Sequence, residues 1–540
     1  MKRLNCLALM LLMIPPIFAP AARLSSANTN LEAFEGEIEQ LRTLLKIPGI
    51  SVAIVEGKRV LWAKGFGYRD YENKMPASPE TLYPIASLTK TLTATLVMQA
   101  VEQGQLSLDD PVAKYRNDFD VDSDTTVRNY LTHTSEDMRG LYFYYSGARF
   151  SRLTTVLEKA VGKSFKDLIA GQVFKKVGME RSVPGLNAEG YSQALGGLSK
   201  LYVLKDGQPV QSDYEGGMSA ASGALSTVLD LAKYELAIRE NALISEGSRR
   251  MMFTPAVSNG GRALPYGLGW FVQDFSGHKV VWAYGQESAN SALLVSVPDR
   301  ALTLIALANS IALSDPFWLI LGNVKRSPVA LAFLRRFVPS GPGAEVRVQP
   351  DWDEKLEKLS PEPSLLEAKI KPGNYGDELI AHAFALQWLG DRPKSAALLK
   401  LAIERYPSVS TTADPALLAV LARSGDPELR RVGEKIGQAL VNENPDNPKT
   451  LFDLGVLYQQ SQRVELAVPV FERLAAKRNL STKWMLAYSG LYLGEFYMVK
   501  DPVKAKKYLQ LVLDVGPGGG SQQQKARDLL GQLEKRSTEK

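Results

Sequence analysis

Strand-forming residues in this chain fall into two clusters separated by a long helical stretch, and that separation constrains the fold more than any other feature. Ile50 to Val55 and Arg59 to Ala63 are β-rich runs split by Glu56, Gly57 and Lys58, a pattern that reads as a hairpin. Strand-like runs return at Gly267–Val272, Lys279–Tyr284, Ala292–Val297 and Leu302–Leu307, and glycine-punctuated helices occupy the middle. A sheet built from both ends of one domain, with a helical insertion, satisfies this order, so the expected class is α+β.

A second change follows. Residues 339–373 are rich in proline and glycine and carry a charged patch from Asp351 to Lys358, which reads as a linker. Beyond it the pattern is almost wholly helical. Leu451, Leu454, Gly455, Tyr458, Ala467 and Phe471 fall at tetratricopeptide offsets, and Leu493, Gly494, Tyr497, Ala505 and Leu509 repeat them. Small residues at such crossings let paired helices approach, and stacked pairs share a core. The expected organisation is a leader over 1–22, an α+β domain over 31–338, the linker, and an all-α repeat domain of tetratricopeptide-like (TPR-like) type over 374–536. A generic helical bundle is the alternative for the last part.

The leader rests on Lys2 and Arg3 before the apolar run Leu4–Phe18, with Ala19, Pro20 and Ala21 as a small-residue cleavage site. Cleavage is expected after Ala21 or Ala22. An uncleaved anchor fits less well with Pro15, Pro16 and Pro20 and the short apolar length. The only cysteine, Cys6, lies inside this leader, so the mature chain would have no disulfide and no thiol nucleophile. His133, His278 and His382 show no ligand spacing, so neither metal nor cofactor is expected. Loss of Lys2 and Arg3 lowers the formal charge from +6 to +4. That is too small and too dispersed for nucleic acid. No later stretch is long and apolar enough to span a bilayer.

Ser87 and Lys90 carry the chemistry. A serine three residues before a lysine shares a helix face with it, so the amine can reach the hydroxyl. In a desolvated pocket such an amine loses its proton near neutral pH and activates the serine. Spacing alone is weak, since roughly two such pairs arise by chance in a chain this long. Ser276 with Lys279 and Ser537 with Lys540 are two others. Only Ser87 opens a long amphipathic run, Leu88–Gln103 closed by Gly104, and a plain N-cap serine is its bland alternative.

Five segments in order widen the argument: Thr81–Lys90, Gln105–Val112, Val127–Ser135, Ala221–Leu231 and Tyr266–Trp270. Together they make residues 31–338 resemble the β-lactamase and penicillin-binding superfamily, most closely the class C β-lactamase-related serine hydrolases. The resemblance implies a β-lactamase/transpeptidase-like domain with Ser87 as nucleophile and Lys90 as its partner. It also implies a Tyr-x-Asn loop, which Tyr145, Ser146 and Gly147 occupy, making Tyr145 a base or proton shuttle. A phenolate beside cationic Lys90 would titrate below free tyrosine. Tyr144 competes for the role, and both tyrosines also read as wall aromatics. Gly147 stands where the family has its asparagine.

The family's Lys-Thr-Gly or His-x-Gly triplet aligns with Gln286, Glu287 and Ser288. Gln286 can hydrogen-bond a substrate but cannot pair with its carboxylate, and Glu287 would repel one. The backbone at Ala289 would join the Ser87 amide as an oxyanion hole. His133 reads as structural, as do His278 and His382. The expectation is therefore an exported, periplasmic or secreted, serine hydrolase acting through an acyl-enzyme. Its substrate would be an ester, amide, D-amino peptide or β-lactam-type carbonyl, with efficient β-lactam hydrolysis disfavoured. The alternative is a catalytically silent binding module whose TPR-like domain engages a protein partner or a second copy.

Overall fold

The computed structural model describes residues 20–115, 124–137, 139–214, 216–338, 375–410, 412–477, 480, 483–515 and 520–538. The leader up to residue 19 and the linker expected over 339–373 lie outside the described residues. The first described element is helix α1, Pro20–Leu44. The expected hairpin follows as β1, Gly49–Glu56, and β2, Arg59–Asp70, with a short β3 at Met75–Pro76. The returning strands are β4 Phe271–Phe275, β5 His278–Gln286, β6 Ser291–Val297 and β7 Leu302–Ala308. They form one seven-stranded sheet in the order β3-β2-β1-β7-β6-β5-β4, antiparallel throughout. The chain enters at one side of the sheet and closes it by pairing Ile50 in β1 with Ala308 in β7.

Both faces of this sheet are covered, which is why β6 and β7 are buried along their whole length. On one face Ala53, Val55, Leu294 and Ile305 pack on helices α2 (Thr89–Glu102) and α4 (Val228–Arg239), with α3 (Leu153–Val161) behind them. On the other, Val52, Ile54, Leu293 and Leu304 pack on α1 and on α5 (Pro328–Phe337). Alternate residues of each strand thus serve opposite cores, as the period of two requires.

One expected strand is displaced. The run Gly267–Val272 becomes extended only from Phe271. A Cβ at Gly267 would lie 2.2 Å from the Met252 carbonyl oxygen, and one at Gly269 would lie 2.5 Å from the Ala94 Cβ. Gly269, at φ +81°, lets the turn press against α2, and Gly267 lets it approach the end of the helix Glu246–Met252.

The C-terminal region is all helical, from α6 (Tyr375–Trp388) and α7 (Arg392–Arg405) through α8 (Pro415–Leu421) and α9 (Pro427–Glu443). It continues as α10 (Pro448–Gln460), α11 (Val464–Ala475), α12 (Lys483–Lys500), α13 (Pro502–Asp514) and α14 (Gly520–Thr538). Asp391, Asp414, Asp426, Asn447 and Asp501 each cap a helix whose first turn holds a proline, so sequence fixes where these helices begin. Two of the region's glycines sit at close helix crossings. A Cβ on Gly455 would fall 2.6 Å from the Phe471 ring, and one on Gly494 2.5 Å from Leu509.

This region packs against the sheet side through a charged seam. Arg326, buried, lies 3.0 Å from Asp377 and 2.5 Å from Asp414. Asn323 donates to Asp414 at 2.8 Å. Arg335 joins Glu37 of α1 at 2.5 Å and also contacts Glu378 of α6. Removing one member of such a buried set leaves an uncompensated charge, so the seam fixes how the pieces meet. No helix among the described residues is long and apolar enough to cross a membrane.

Candidate active site

Ser87 sits in a tight 3-10 turn, Ala86–Leu88, that runs directly into α2. Neither helical start has a side-chain cap bond, so the N-cap alternative for Ser87 fails. The turn is strained: Ala86, fully buried, has φ +45°. Strand β5 presses on it from below. A Cβ on Gly285 would lie 2.1 Å from the Ile85 carbonyl oxygen, so only glycine allows this approach.

Lys90 is 1 % exposed and its Nζ donates to Ser87 Oγ at 2.8 Å and to the Ala221 carbonyl at 2.9 Å. Burial lowers its pKa to about 7, and the charge of Glu287 opposes that fall. The segment from Ala221 serves to seat α2. Thr93 donates to the Ala220 carbonyl at 2.8 Å, and the Ile85 amide donates to the Ala224 carbonyl at 3.0 Å.

Tyr145 stands over the pair. Lys90 Nζ lies 5.0 Å from its ring centroid and 5.5 Å from that of Phe150. The expected lowering of the phenol does not occur. Burial pushes the Tyr145 hydroxyl well above its ordinary pKa, and hydrogen bonds with Ser87 and Tyr284 draw it only partly back. A neighbouring amine that burial itself drives toward neutrality offers little charge to favour a phenolate. Tyr145 is thus a protonated hydroxyl at neutral pH, suited to relay a proton.

Its ring is held on several sides: His133 at 4.3 Å between centroids, Phe271 at 5.9 Å and nearly parallel, Tyr284 at 5.6 Å. His133 is buried and its Nδ1 accepts from the Ser146 amide at 3.1 Å, which fixes the loop that carries Tyr145. Burial and the Lys90 charge depress its pKa, so it stays neutral. Ser146 caps the short helix Gly147–Ser151. A Cβ on Gly147 would meet nothing within 4 Å, so the side chain missing there has left open space.

Gln286 ends β5, and Nε2 donates to Asp315 Oδ1 at 2.5 Å. Pairing of Gln286 with Ser291 leaves only residues 287–290 for the hairpin loop. Asn290 ties that loop to the Pro84 carbonyl at 3.0 Å, next to the nucleophile turn. Burial raises the carboxyls of both Glu287 and Asp315. Ala289 is fully buried in this loop.

A cavity of about 950 Å³ opens over these groups. Ser87, Tyr145, Gly147 and Gln286 line it together, whereas Tyr144 and Ala289 do not. The sequence reading missed Asp315, Trp318 and Phe384, which also line it. No motif marks them: Asp315 and Trp318 lie in short turns after β7, and Phe384 reaches the cavity only through packing of the helical region against the sheet side. His278 faces Asp299 at 2.5 Å in the β4–β5 hairpin, and His382 is buried against the Glu378 carbonyl, so neither joins the site.

Known proteins resemble this chain over the region that holds the sheet and Ser87. A family model described as Beta-lactamase matches residues 34–312. Penicillin-binding protein 4* of Bacillus subtilis (strain 168) is 26% identical over 306 residues, covering 48% of this chain and 67% of that protein. Protein flp of Staphylococcus aureus (strain MW2) is 24% identical over 307 residues, 49% of this chain and 60% of that one. Among solved structures, the octameric penicillin-binding protein homologue from Pyrococcus abyssi aligns at 29% identity and a TM-score of 0.48, covering 52% of this chain and 74% of that one. D-alanine carboxypeptidase AmpC from Burkholderia cenocepacia aligns at 22% identity and 0.46, over 53% and 95%. With half the chain matched by the family model and a β-lactamase-type sheet and helices around Ser87, the chain belongs to the beta-lactamase family of serine hydrolases.

Proposed function

We propose that this chain is an exported serine hydrolase that forms an acyl-enzyme on Ser87 and prefers a neutral ester or amide. What carries the reading is the 2.8 Å contact between Ser87 Oγ and an amine whose burial brings it to about pKa 7. A neutral Lys90 takes the Ser87 proton as Oγ bonds to the carbonyl carbon. The backbone amide of Ser87 holds the oxyanion, while Ala289, fully buried and away from the cavity, is not placed to join it as expected. When the tetrahedral species collapses, the bond to the leaving oxygen or nitrogen breaks and that atom takes a proton relayed through Tyr145. Water then attacks the acyl carbon, giving one proton to Lys90; Ser87 Oγ regains its proton and the acid leaves.

The preference for a neutral substrate follows from Gln286, Glu287 and Asp315, a set without a cation. Export rests on the leader pattern at residues 1–22 and on the bacterial penicillin-binding relatives. The close helix crossings at Gly455 and Gly494 support a tetratricopeptide-like repeat domain over 374–536, whose stacked pairs would offer a surface to a protein partner or a second copy.

The test is intact mass after exposure to an activated ester and to a fluorophosphonate. The expected result is a single adduct on the mature protein and none on Ser87→Ala. Open space at Gly147 and the absent cation at Gln286 favour a second reading, a silent binding module. Absence of any Ser87-dependent adduct or turnover would establish that one instead.

A further inference from the structure

The cavity over Ser87 does not end at the hydrolase region. Its far wall is built by α6 to α9, roughly three hundred residues further along the chain. That wall mixes the aromatic and apolar side chains Phe384, Trp388, Ala396 and Leu399 with polar ones, and Trp318 and Ile320 line the cavity from the sheet side. The charges in it are largely satisfied at home: Arg423 pairs with Asp453 at 3.0 Å and Asp426 with Lys400 at 2.6 Å. Arg392 is exposed to solvent.

Trp318 is held in an unusual way. It is a bulky residue at φ +51°, a conformation that costs free energy unless its surroundings enforce it. Lys449 and Arg423 lie over its ring at 5.1 and 5.6 Å, pinning the indole as part of the cleft. Two polar groups of the helical wall, Trp388 Nε1 and Ser395 Oγ, are buried without a hydrogen-bond partner. Buried polar groups are nearly always satisfied, and the face of an aromatic ring in the cleft would be a weak acceptor for this N–H and hydroxyl. The charged seam through Arg326 and Asp414 keeps this wall in place. A cavity of about 950 Å³ also far exceeds what an acetyl-sized group fills, and lies in the range of sites for much larger ligands.

We infer that the helical region completes the substrate site, forming an aromatic-lined subsite that receives an uncharged aryl-sized group of the ester or amide acylating Ser87. This rests on the hydrolase reading above. Aromatic walls at fixed positions favour flat rings over small or charged groups. The helical region is then part of the specificity machinery.

The test uses thioesters, whose released thiol is read with a disulfide dye; the leader's Cys6 is the only cysteine, so the mature chain gives no background. S-methyl thioacetate is the small reference. S-methyl phenylthioacetate puts the aryl group on the acyl side, and S-benzyl thioacetate puts it on the leaving side. One of the two aryl substrates is expected to exceed the reference in kcat/KM by at least tenfold, which identifies the side.

Ala396→Phe, which fills the subsite, and Ile320→Trp, on its exposed lip, should each cut that ratio at least fivefold. Equal rates for all three thioesters, or a ratio untouched in a variant that folds, would overturn the inference. If no thioester turns over, calorimetry with Ser87→Ala protein and S-benzyl thioacetate decides. Binding that Ala396→Phe abolishes keeps the subsite while the hydrolase reading falls, and no binding removes both.

Discussion

The two ends of the cleft are built on opposite plans. At the nucleophile end, strain and burial are concentrated: Ala86 at φ +45°, Gly285 against the Ile85 carbonyl, and a lysine 1 % exposed. Ser87, Lys90 and Tyr145 each have a partner there that positions them for proton transfer. At the recognition end the side chains are uncharged or acidic, with Gln286 bonded to Asp315 and Glu287 close by. The difference teaches that the groups proposed to form an acyl-enzyme and those proposed to choose what is acylated are separable in this fold. The first set demands a costly local environment; altering the second needs only a few side chains.

The sharpest way to break the comparison is Lys90→Met. If the buried amine is the base, kcat/KM should fall by at least about 10³-fold, since nucleophile and base act as a unit. In the unaltered protein kcat/KM should rise with pH through about 7, as Lys90 loses its proton. Stability should rise with pH as activity does, but over a higher range. Lys90 titrates at about 7 when folded against an ordinary 10.5, so the unfolded chain binds more protons between those values. This group therefore makes stability rise with pH from about 7 toward 10.5, and its cost is greatest at and below neutrality. Lys90→Met should remove that slope and stabilise the protein at pH 7 by on the order of a few kcal/mol. Urea melts at pH 7 and pH 9 check both signs.

The second prediction concerns the recognition end alone. Gln286→Lys restores a cation beside Asp315 while leaving the Ser87–Lys90 contact intact. The ratio of kcat/KM for a carboxylate-bearing ester over its neutral analogue should rise roughly tenfold, the effect expected of one favourable ion contact partly offset by the acids nearby. In the unaltered protein the neutral ester should be the faster. The reverse preference would mean that Gln286 does not occupy the recognition position.

What the sequence made legible follows the same division. The β1–β2 hairpin and the returning strands are local patterns, and Ser87 with Lys90 is a local spacing, so both could be read directly. The strand expected at Gly267 was displaced because close approaches to the Met252 carbonyl and to α2, invisible in alternation, needed glycines there. The phenol of Tyr145 was expected to titrate low because charge was weighed without burial, and burial prevails. Asp315, Trp318 and Phe384 could not be found at all. Asp315 and Trp318 sit in irregular turns that carry no periodic signal, and Phe384 becomes a cleft residue only when Arg326 meets Asp414 and Asp377 across the seam, a contact between distant segments that no short motif encodes.

The smallest expected effect tests whether the helical region also steadies the chemistry. The segment that carries Tyr145 is gripped from that side. Lys477 pairs with Asp137 at 3.2 Å and lies 5.6 Å from the Tyr142 ring centroid, and Asn447 Nδ2 donates to the Phe143 carbonyl at 3.1 Å. Asn447 does two things at once, because its Oδ1 also caps α10 by accepting from the amides of Lys449 and Thr450. Asn447→Asp separates them: aspartate caps as well as asparagine but has no N–H for Phe143. The helix should keep its stability to within about 1 kcal/mol, read by thermal melting, since only one neutral hydrogen bond is lost. If that bond positions Tyr145, kcat/KM should drop about two- to fivefold for every substrate alike, leaving the neutral-to-carboxylate ratio where it was. A uniform loss would place Asn447 with the nucleophile end despite its position in the helical region. Unchanged kcat/KM would mean that the helical region touches the tyrosine segment without setting its position, and that its influence is confined to the far wall of the cleft.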